Sequence, residues 1–279
     1  MMDTAPILDI KEASEAISYF TVGFLKLNTH KGEENAESAG SGTLVKVGKV
    51  HGILTAAHVL KRLPQSGEVG LVRFSRFARG PQKLGFEIGQ THSVLIPGKE
   101  GPDGPDIGFL RLPPNKAMEL EATSAFRNLD NTAQSFKENP IPAKYGFDAI
   151  VGILAERTKK IRVELGIRME FESRYQVGTT ALLPDAHGLD RCLFTPGPTD
   201  IVPYPESYGG TSGGGLWRTY CHVDSNGKQQ VAENRLIGVP YYQSEKVGEK
   251  RLLYCHGPRT IYELLRKKIK ETWPDAGMA

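Results

Sequence analysis

Residues 209–217 read GGTSGGGLW. Five of the first seven residues are glycine, and they surround a single hydroxyl, Ser212. Flexible linkers of such composition are polar on both sides, whereas this one runs straight into Leu216 and Trp217. It is read as a built loop with chemistry to do. A serine hydroxyl is a weak nucleophile at neutral pH and needs a base, a group that orients the base, and fixed donors for the anion that develops after attack. Glycine lets neighbouring N–H groups converge on one point, because no Cβ restricts the backbone. The N–H groups of Gly210 and Ser212 are the expected donors, and Gly213 and Gly214 allow a tight turn behind the nucleophile.

Composition narrows the class. The chain has 279 residues, 39% apolar and 24% charged, which suits a soluble globular protein with a sizeable core. There are 31 glycines, well above the usual share of about 7%, as expected for a fold rich in tight turns. A net charge of +3 with no long basic block gives no sign of nucleic acid or membrane as a partner. The three cysteines, Cys192, Cys221 and Cys255, are odd in number and lack metal-ligand spacing, so neither a disulfide scaffold nor a zinc site is expected. No metal and no cofactor are expected. No cationic start with an apolar core opens the chain, and no apolar run approaches the roughly 18–20 residues of a membrane span. A reduced, cytoplasmic, soluble protein is the expectation.

Along the chain the strand pattern dominates. Asp9–Ile17 predicts a short helix with Asp9 as N-cap and Glu12 three residues on. SYFTVGFLKL (18–27) reads as a strand, and HKGEENAESAGSG (30–42) as a polar loop. TLVKV and VHGILT flank a Gly48-Lys49 turn, the pattern of a hairpin. LVRFSRF, HSVLIP and IGFLRL follow as strands. Residues 113–146 change character: AMELEATSAF predicts a short helix and ENPIPAKYG is proline-rich. FDAIVGIL, KIRVELGI, RMEFES, TTALL, LIGVPYYQ and RLLYCH then resume the strand pattern. TIYELLRKKIKETW predicts a closing helix, with apolar residues at helical spacing, a Thr260/Glu263 capping box, and basic residues toward its C-terminal half. The expected organisation is an N-terminal segment with a short helix (1–17), an N-terminal β-barrel (18–130), a C-terminal β-barrel (131–257), and a helix and tail (258–279). The class is all-β rather than alternating βαβ.

For the base, the stretch ILTAAHVL places His58 where a strand runs into a helical turn. TAAHVL, GPDIGFLRL and GGTSGGGLW together resemble the three signature stretches of trypsin-like (chymotrypsin-fold) serine proteases. The order His58, Asp106, Ser212 is that family's order, and LIGVPYY and the terminal helix are similar to its later elements. The resemblance runs from about Ser18 to Trp273. It implies two six-stranded antiparallel barrels with the active site between them. It also implies a catalytic triad in which Ser212 attacks, His58 moves the proton and Asp106 holds the imidazole. An acyl-enzyme and a protein or peptide substrate follow from it. Asp103 competes for the role of Asp106 but lacks the apolar strand behind it. GTSGG also fits the G-x-S-x-G elbow of α/β-hydrolases. There a helix must follow the serine, yet three glycines do, and the downstream His222 and His256 stand in no distinctive context.

The sequence departs from the secreted members of that family. They pair a freed N-terminus with an Asp just before the nucleophile, where this chain has Thr211, and they carry disulfides. It is closer to bacterial or intracellular members. Its oxyanion hole forms either constitutively or through an activating protein partner or ligand, for example in a bacterial stress or defence pathway. The resemblance places Glu206 at the floor of the primary pocket, favouring Lys or Arg in the substrate, with a surface glutamate as the alternative. It places Tyr241 and Tyr242 along the pocket wall. The alternative to an enzyme is a non-catalytic protein-binding module on the same fold.

Overall fold

The computed structural model describes residues 10–30, 33–74, 84–96, 98, 101–138, 145–163, 166–198, 203–225 and 229–277. Helix α1 (Ile10–Ser18) turns Ala13 and Ile17 inward; its expected cap, Asp9, lies outside the described residues. There follow β1 (Thr21–His30), β2 (Glu33–Val47), β3 (Val50–Thr55), α2 (Ala57–Arg62), β4 (Glu68–Arg73), β5 (Leu84–Glu87), β6 (His92–Ile96) and β7 (Ile107–Arg111). These strands form one antiparallel sheet in the order β5-β4-β1-β2-β3-β7-β6. The sheet curls into a half-barrel. After α3 (Pro114–Glu121), the short β8 (Arg127–Asn128) adds a parallel pairing to β2, and α4 (Leu129–Glu138) follows.

The second half begins with β9 (Tyr145–Ile153), then a separate hairpin of β10 (Lys159–Val163) and β11 (Gly166–Glu170). β12 (Ser173–Ala186), β13 (Leu189–Pro196), β14 (Gly215–Val223), β15 (Gln229–Val247) and β16 (Lys250–His256) complete it. Six of these strands close into a barrel, in the order β12-β13-β16-β15-β14-β9. The arrangement is the all-β, two-barrel architecture of the chymotrypsin-like fold, with a helix at the end of the chain.

Local chemistry explains several elements and corrects others. Gly48, at φ +53°, makes the turn between β2 and β3 with Lys49, and Val47 faces Val50 across it. The polar segment 33–42, expected as a loop, is the first part of β2, and its backbone pairs with β1 from Glu33–His30 to Gly42–Val22. A ladder needs backbone partners rather than apolar side chains, so a polar hairpin arm escapes a reading based on hydrophobic alternation. KIRVELGI, read as one strand, is split between β10 and β11, with 164–165 outside the described residues.

The terminal helix begins with wide π-helical turns over Thr260–Leu265 and continues as α5 (Arg266–Thr272). Its capping box does not form. Asp190 on β13 takes that role, accepting from the N–H groups of Thr260 at 2.7 Å and Arg259 at 2.9 Å and from Thr260 Oγ1 at 2.5 Å. Ile261, Leu265, Ile269 and Trp273 then pack in one cluster with Val47 and Phe109 of the first sheet and Trp217, Leu236 and Val239 of the barrel. The helix is thus a wedge that fixes one half against the other. Replacing Asp190 by Ala removes three bonds from a helix start and should lower stability by about 2 kcal/mol. A calorimetric melting temperature several degrees lower is expected, and an unchanged one would show that the wedge needs no such cap.

Candidate active site

The site grows from the corner where β3 becomes α2. His58 is the second residue of α2. β7 pairs with β3, with Gly108 opposite Thr55, so Asp106, one residue before β7, lies across the start of α2. Its carboxylate serves both ends of His58. One oxygen accepts the backbone N–H at 2.8 Å, and the other accepts Nδ1–H at 2.5 Å. The two side chains are only 12% and 13% exposed. Burial alone would raise the Asp106 carboxyl, but the hydrogen bonds and charge of His58 outweigh it and hold the group below the ordinary carboxylate value. An ionised Asp106 fixes an imidazole proton on Nδ1 and turns Nε2 away from itself.

The loop carrying Ser212 presses against the same corner. Gly213 adopts φ +82°, and a Cβ there would fall 1.9 Å from Thr55 Oγ1 and 2.8 Å from the Ala56 nitrogen, so only glycine allows this approach. Ser212 is half-buried, and its carbonyl accepts the Ser41 N–H at 2.9 Å. Its Oγ has no hydrogen-bond partner among the described residues.

The backbone of the loop is held from its carbonyl side. Ala155 N–H donates to Gly209 O at 2.9 Å, and Gly214 N–H donates to Thr211 O at 2.9 Å. Each peptide is trans, so the following N–H groups, those of Gly210 and Ser212, point the other way. Thr211 N–H and Gly213 N–H are committed to Tyr208 O and Pro240 O, and Gly209 N–H to Ser207 Oγ. The N–H groups of Gly210 and Ser212 have no partner among the described residues. Gly210 reaches this geometry at φ +93°, where a Cβ would meet Ile153 O at 2.9 Å.

Two residues to which the sequence assigned no role here hold this assembly. Ser41 on β2 is fully buried. Its Oγ–H donates to Gly210 O at 2.7 Å, and its Oγ accepts the Ile153 N–H of β9 at 2.8 Å. The second is His256 at the end of β16, also fully buried. Its Nε2 accepts the Asp106 N–H at 3.0 Å, and its ring stacks on Tyr241 with centroids 4.2 Å apart. Neither was visible by motif, because each acts on backbone atoms far along the chain. The only signal at Ser41 is its place between two glycines, and at His256 its place at a strand end before Gly-Pro.

The expected specificity residues separate. Glu206 does not line a pocket floor: its side chain is 81% exposed and pairs with Lys246. Lys246 reaches it from β15, which holds the carboxylate at the surface. Tyr241 is buried and points behind Asp106, its Oη donating to Pro102 O at 2.5 Å. Tyr242, on the opposite face of the strand, is partly exposed and stands edge-on to Tyr254. Asp103 turns outward to Arg191 at 2.5 Å and takes no part at His58. Among the described residues there is no cluster of metal-ligating groups, and no helix is long and apolar enough to cross a membrane.

No family model matches the chain, and no curated protein matches it. Solved structures do. An HtrA-type protease with a decapeptide aligns over 95% of this chain and 68% of its own, at 12% identity and a TM-score of 0.44. A structure concerning the VPg protein of Sesbania mosaic virus aligns over 88% and 96%, at 13% identity and a TM-score of 0.42. Catalytically inactive tobacco etch virus protease complexed with substrate aligns over 91% and 86%, at 12% identity and a TM-score of 0.37.

His256 has a measurable consequence. Burial lowers its imidazole from 6.5 to about 4, against the pull of Asp106 and Asp190. The folded chain therefore binds fewer protons there than the unfolded chain between those values. Its stability contribution is fully present above pH 6.5 and is lost as pH falls toward 4, by about 3 kcal/mol for the full shift. Denaturant midpoints measured from pH 7 to 4.5 should fall more steeply for the native chain than for His256→Gln. Parallel slopes would contradict a buried neutral imidazole.

Proposed function

We propose that the chain is a serine endopeptidase working through Ser212, His58 and Asp106. The observation that carries this reading is the bidentate hold of Asp106 on His58 in the corner against which the Ser212 loop is packed. His58 Nε2 takes the Ser212 proton as Oγ attacks the peptide carbonyl. Asp106 keeps the ring oriented and stabilises the imidazolium without taking the proton itself. The oxyanion of the tetrahedral intermediate receives the uncommitted N–H groups of Gly210 and Ser212. Collapse breaks the C–N bond, and His58 protonates the leaving amine. Water, activated by the same imidazole, then attacks the acyl-enzyme and releases Ser212.

The loop geometry favours activity intrinsic to the chain over gating by a partner. Thr211 stands where an ion pair would otherwise organise the loop, and its Oγ1 is bonded locally to Tyr208 O at 2.6 Å. Ser41 and Ala155 supply the anchoring bonds from within the chain. That Ser212 Oγ has no hydrogen-bond partner among the described residues supports the second reading, a binding module that holds peptides without cleaving them.

The two readings part at one experiment. The purified chain, with no addition, should be labelled at Ser212 by a fluorophosphonate probe, and Ser212→Ala should abolish the label. An unlabelled native chain would favour the binding module. Among active chains, Asp106→Asn should lower kcat by about 10⁴ because the ring then holds the wrong tautomer. Retention of most activity in a peptide-hydrolysis assay would remove Asp106 from the mechanism.

A further inference from the structure

Arg174 on β12 is a cation without a paired carboxylate among the described residues. It is 8% exposed. Its Nε and Nη2 both donate to one neutral acceptor, Gln176 Oε1, at 3.1 and 2.8 Å. No carboxylate pairs with it among the described residues, and its Nη1 makes no hydrogen bond among them. A guanidinium taken out of water without an anion costs several kcal/mol, and its planar fork of donors matches a carboxylate. Gln176 holds the fork in place, since its Nε2 is anchored on Val177 O at 3.0 Å and Gly197 O at 3.4 Å.

The position of Arg174 ties it to Ser212. It stands directly opposite Gly152 in the β9–β12 ladder, so the two residues share a face. At Gly152 that face looks at the Ser212 loop, because a Cβ there would lie 2.9 Å from Thr211 Cα. The same side of β9 carries Ile150 and Leu154, which pack with Tyr208, four residues before Ser212. Tyr208 Oη is buried and has no partner. Its phenol is pushed up to about 12 by burial, against the pull of the Arg174 charge, so it stays a neutral donor within the field of that charge. Glu156 also acts on this phenol, but its carboxylate is committed to the N–H groups of Glu206 and Ser207 at 3.2 and 2.9 Å.

We propose that Arg174 and Tyr208 Oη form a recognition site for the carboxylate of an acidic substrate side chain, on the residue that supplies the attacked carbonyl. This rests on the endopeptidase reading. That residue's carbonyl oxygen meets the N–H groups of Gly210 and Ser212, and Tyr208 begins the turn that presents them. We place its side chain beneath the loop, on the side that Gly152 faces. A buried phenol without a partner and a guanidinium answered only by a neutral amide call for a ligand that accepts twice and carries a negative charge. A glutamate or aspartate side chain meets both needs, whereas lysine or arginine would place like charges together.

A binding test separates this from the chemistry. The Ser212→Ala chain is titrated by calorimetry with two acetylated, amidated peptides, Ala-Ala-Pro-Glu-Ser-Ala and its counterpart with Gln for Glu. The Glu peptide should bind at least about tenfold more tightly, the discrimination expected of a charge-assisted hydrogen bond. Adding Arg174→Gln should close the gap, Arg174→Lys should keep part of it, and Tyr208→Phe should narrow it. Equal affinities in the Ser212→Ala parent, or no detectable binding of either peptide, overturn the proposal without requiring any Arg174 variant to fold. With native chain, cleavage sites mapped in an unfolded protein mixture should follow Glu or Asp. Sites after other residues would overturn the acidic site and leave the endopeptidase standing. No cleavage at all would remove the endopeptidase reading, while the calorimetric comparison still decides the acidic site.

Discussion

A buried hydroxyl ties the two halves of this chain together beneath the Ser212 loop. Ser41 belongs to β2 of the first sheet, yet its Oγ is bonded entirely to the second half, accepting from Ile153 N–H and donating to Gly210 O. Its N–H holds Ser212 O, and its own carbonyl accepts Thr55 Oγ1–H at 2.7 Å. Its backbone and its side chain are therefore both satisfied, by the Ser212 loop, by β9 and by the end of β3. Any sliding of one half against the other must break several of these bonds at once, in a place where unmade bonds cost most. The terminal helix resists the same motion by apolar packing on the far side of the seam. Polar bonds set the register of the site, and the helix sets the distance between halves.

The electrostatic plan follows from how few charges the corner buries. Both oxygens of the Asp106 carboxylate are used by His58. The group behind it, His256, is neutral and accepts only a backbone N–H. A second carboxylate there would have competed for the proton of His58 and raised Asp106. A protonated imidazole would have lost its acceptor and drawn the charge of Asp106 away from His58. Burial, with Tyr241 stacked on the ring, keeps it neutral. The cost is visible as His256 Nδ1, buried with no partner.

How much of this was legible in the sequence depended on whether the information was local. His58, Asp106 and Ser212 each sit in a stretch whose pattern names its own structure: a strand end before a helical turn, an aspartate before an apolar strand, a serine among glycines. The folding of these stretches into one corner follows from ordinary hairpin and barrel topology. Ser41 and His256 left no such trace, because they recognise backbone atoms, and a backbone atom has no sequence identity. The Thr260/Glu263 box failed for a related reason. Local helix-start signals were present, but Asp190, 70 residues away, reached the same N–H groups with a better-placed carboxylate. The polar arm of β2 was missed because its pairing with β1 is paid in backbone hydrogen bonds rather than in buried side chains.

Specificity shows the same limit from the other direction. Position relative to Ser212 made Glu206 the natural candidate for selecting substrates, and position alone predicts a preference for cations. What decides the sign of a recognition site, however, is which charge remains unpaired once the chain has folded. Glu206 is open to water and paired with Lys246, so its charge is screened and already answered. Arg174 is enclosed and answered only by a neutral amide. In a low-dielectric interior the second imbalance is worth far more than the first. A substrate carboxylate entering beneath the loop would relieve it, and a substrate ammonium would aggravate it. The preference of the site is therefore fixed by the desolvated cation on β12, not by the exposed anion nearer the nucleophile in sequence.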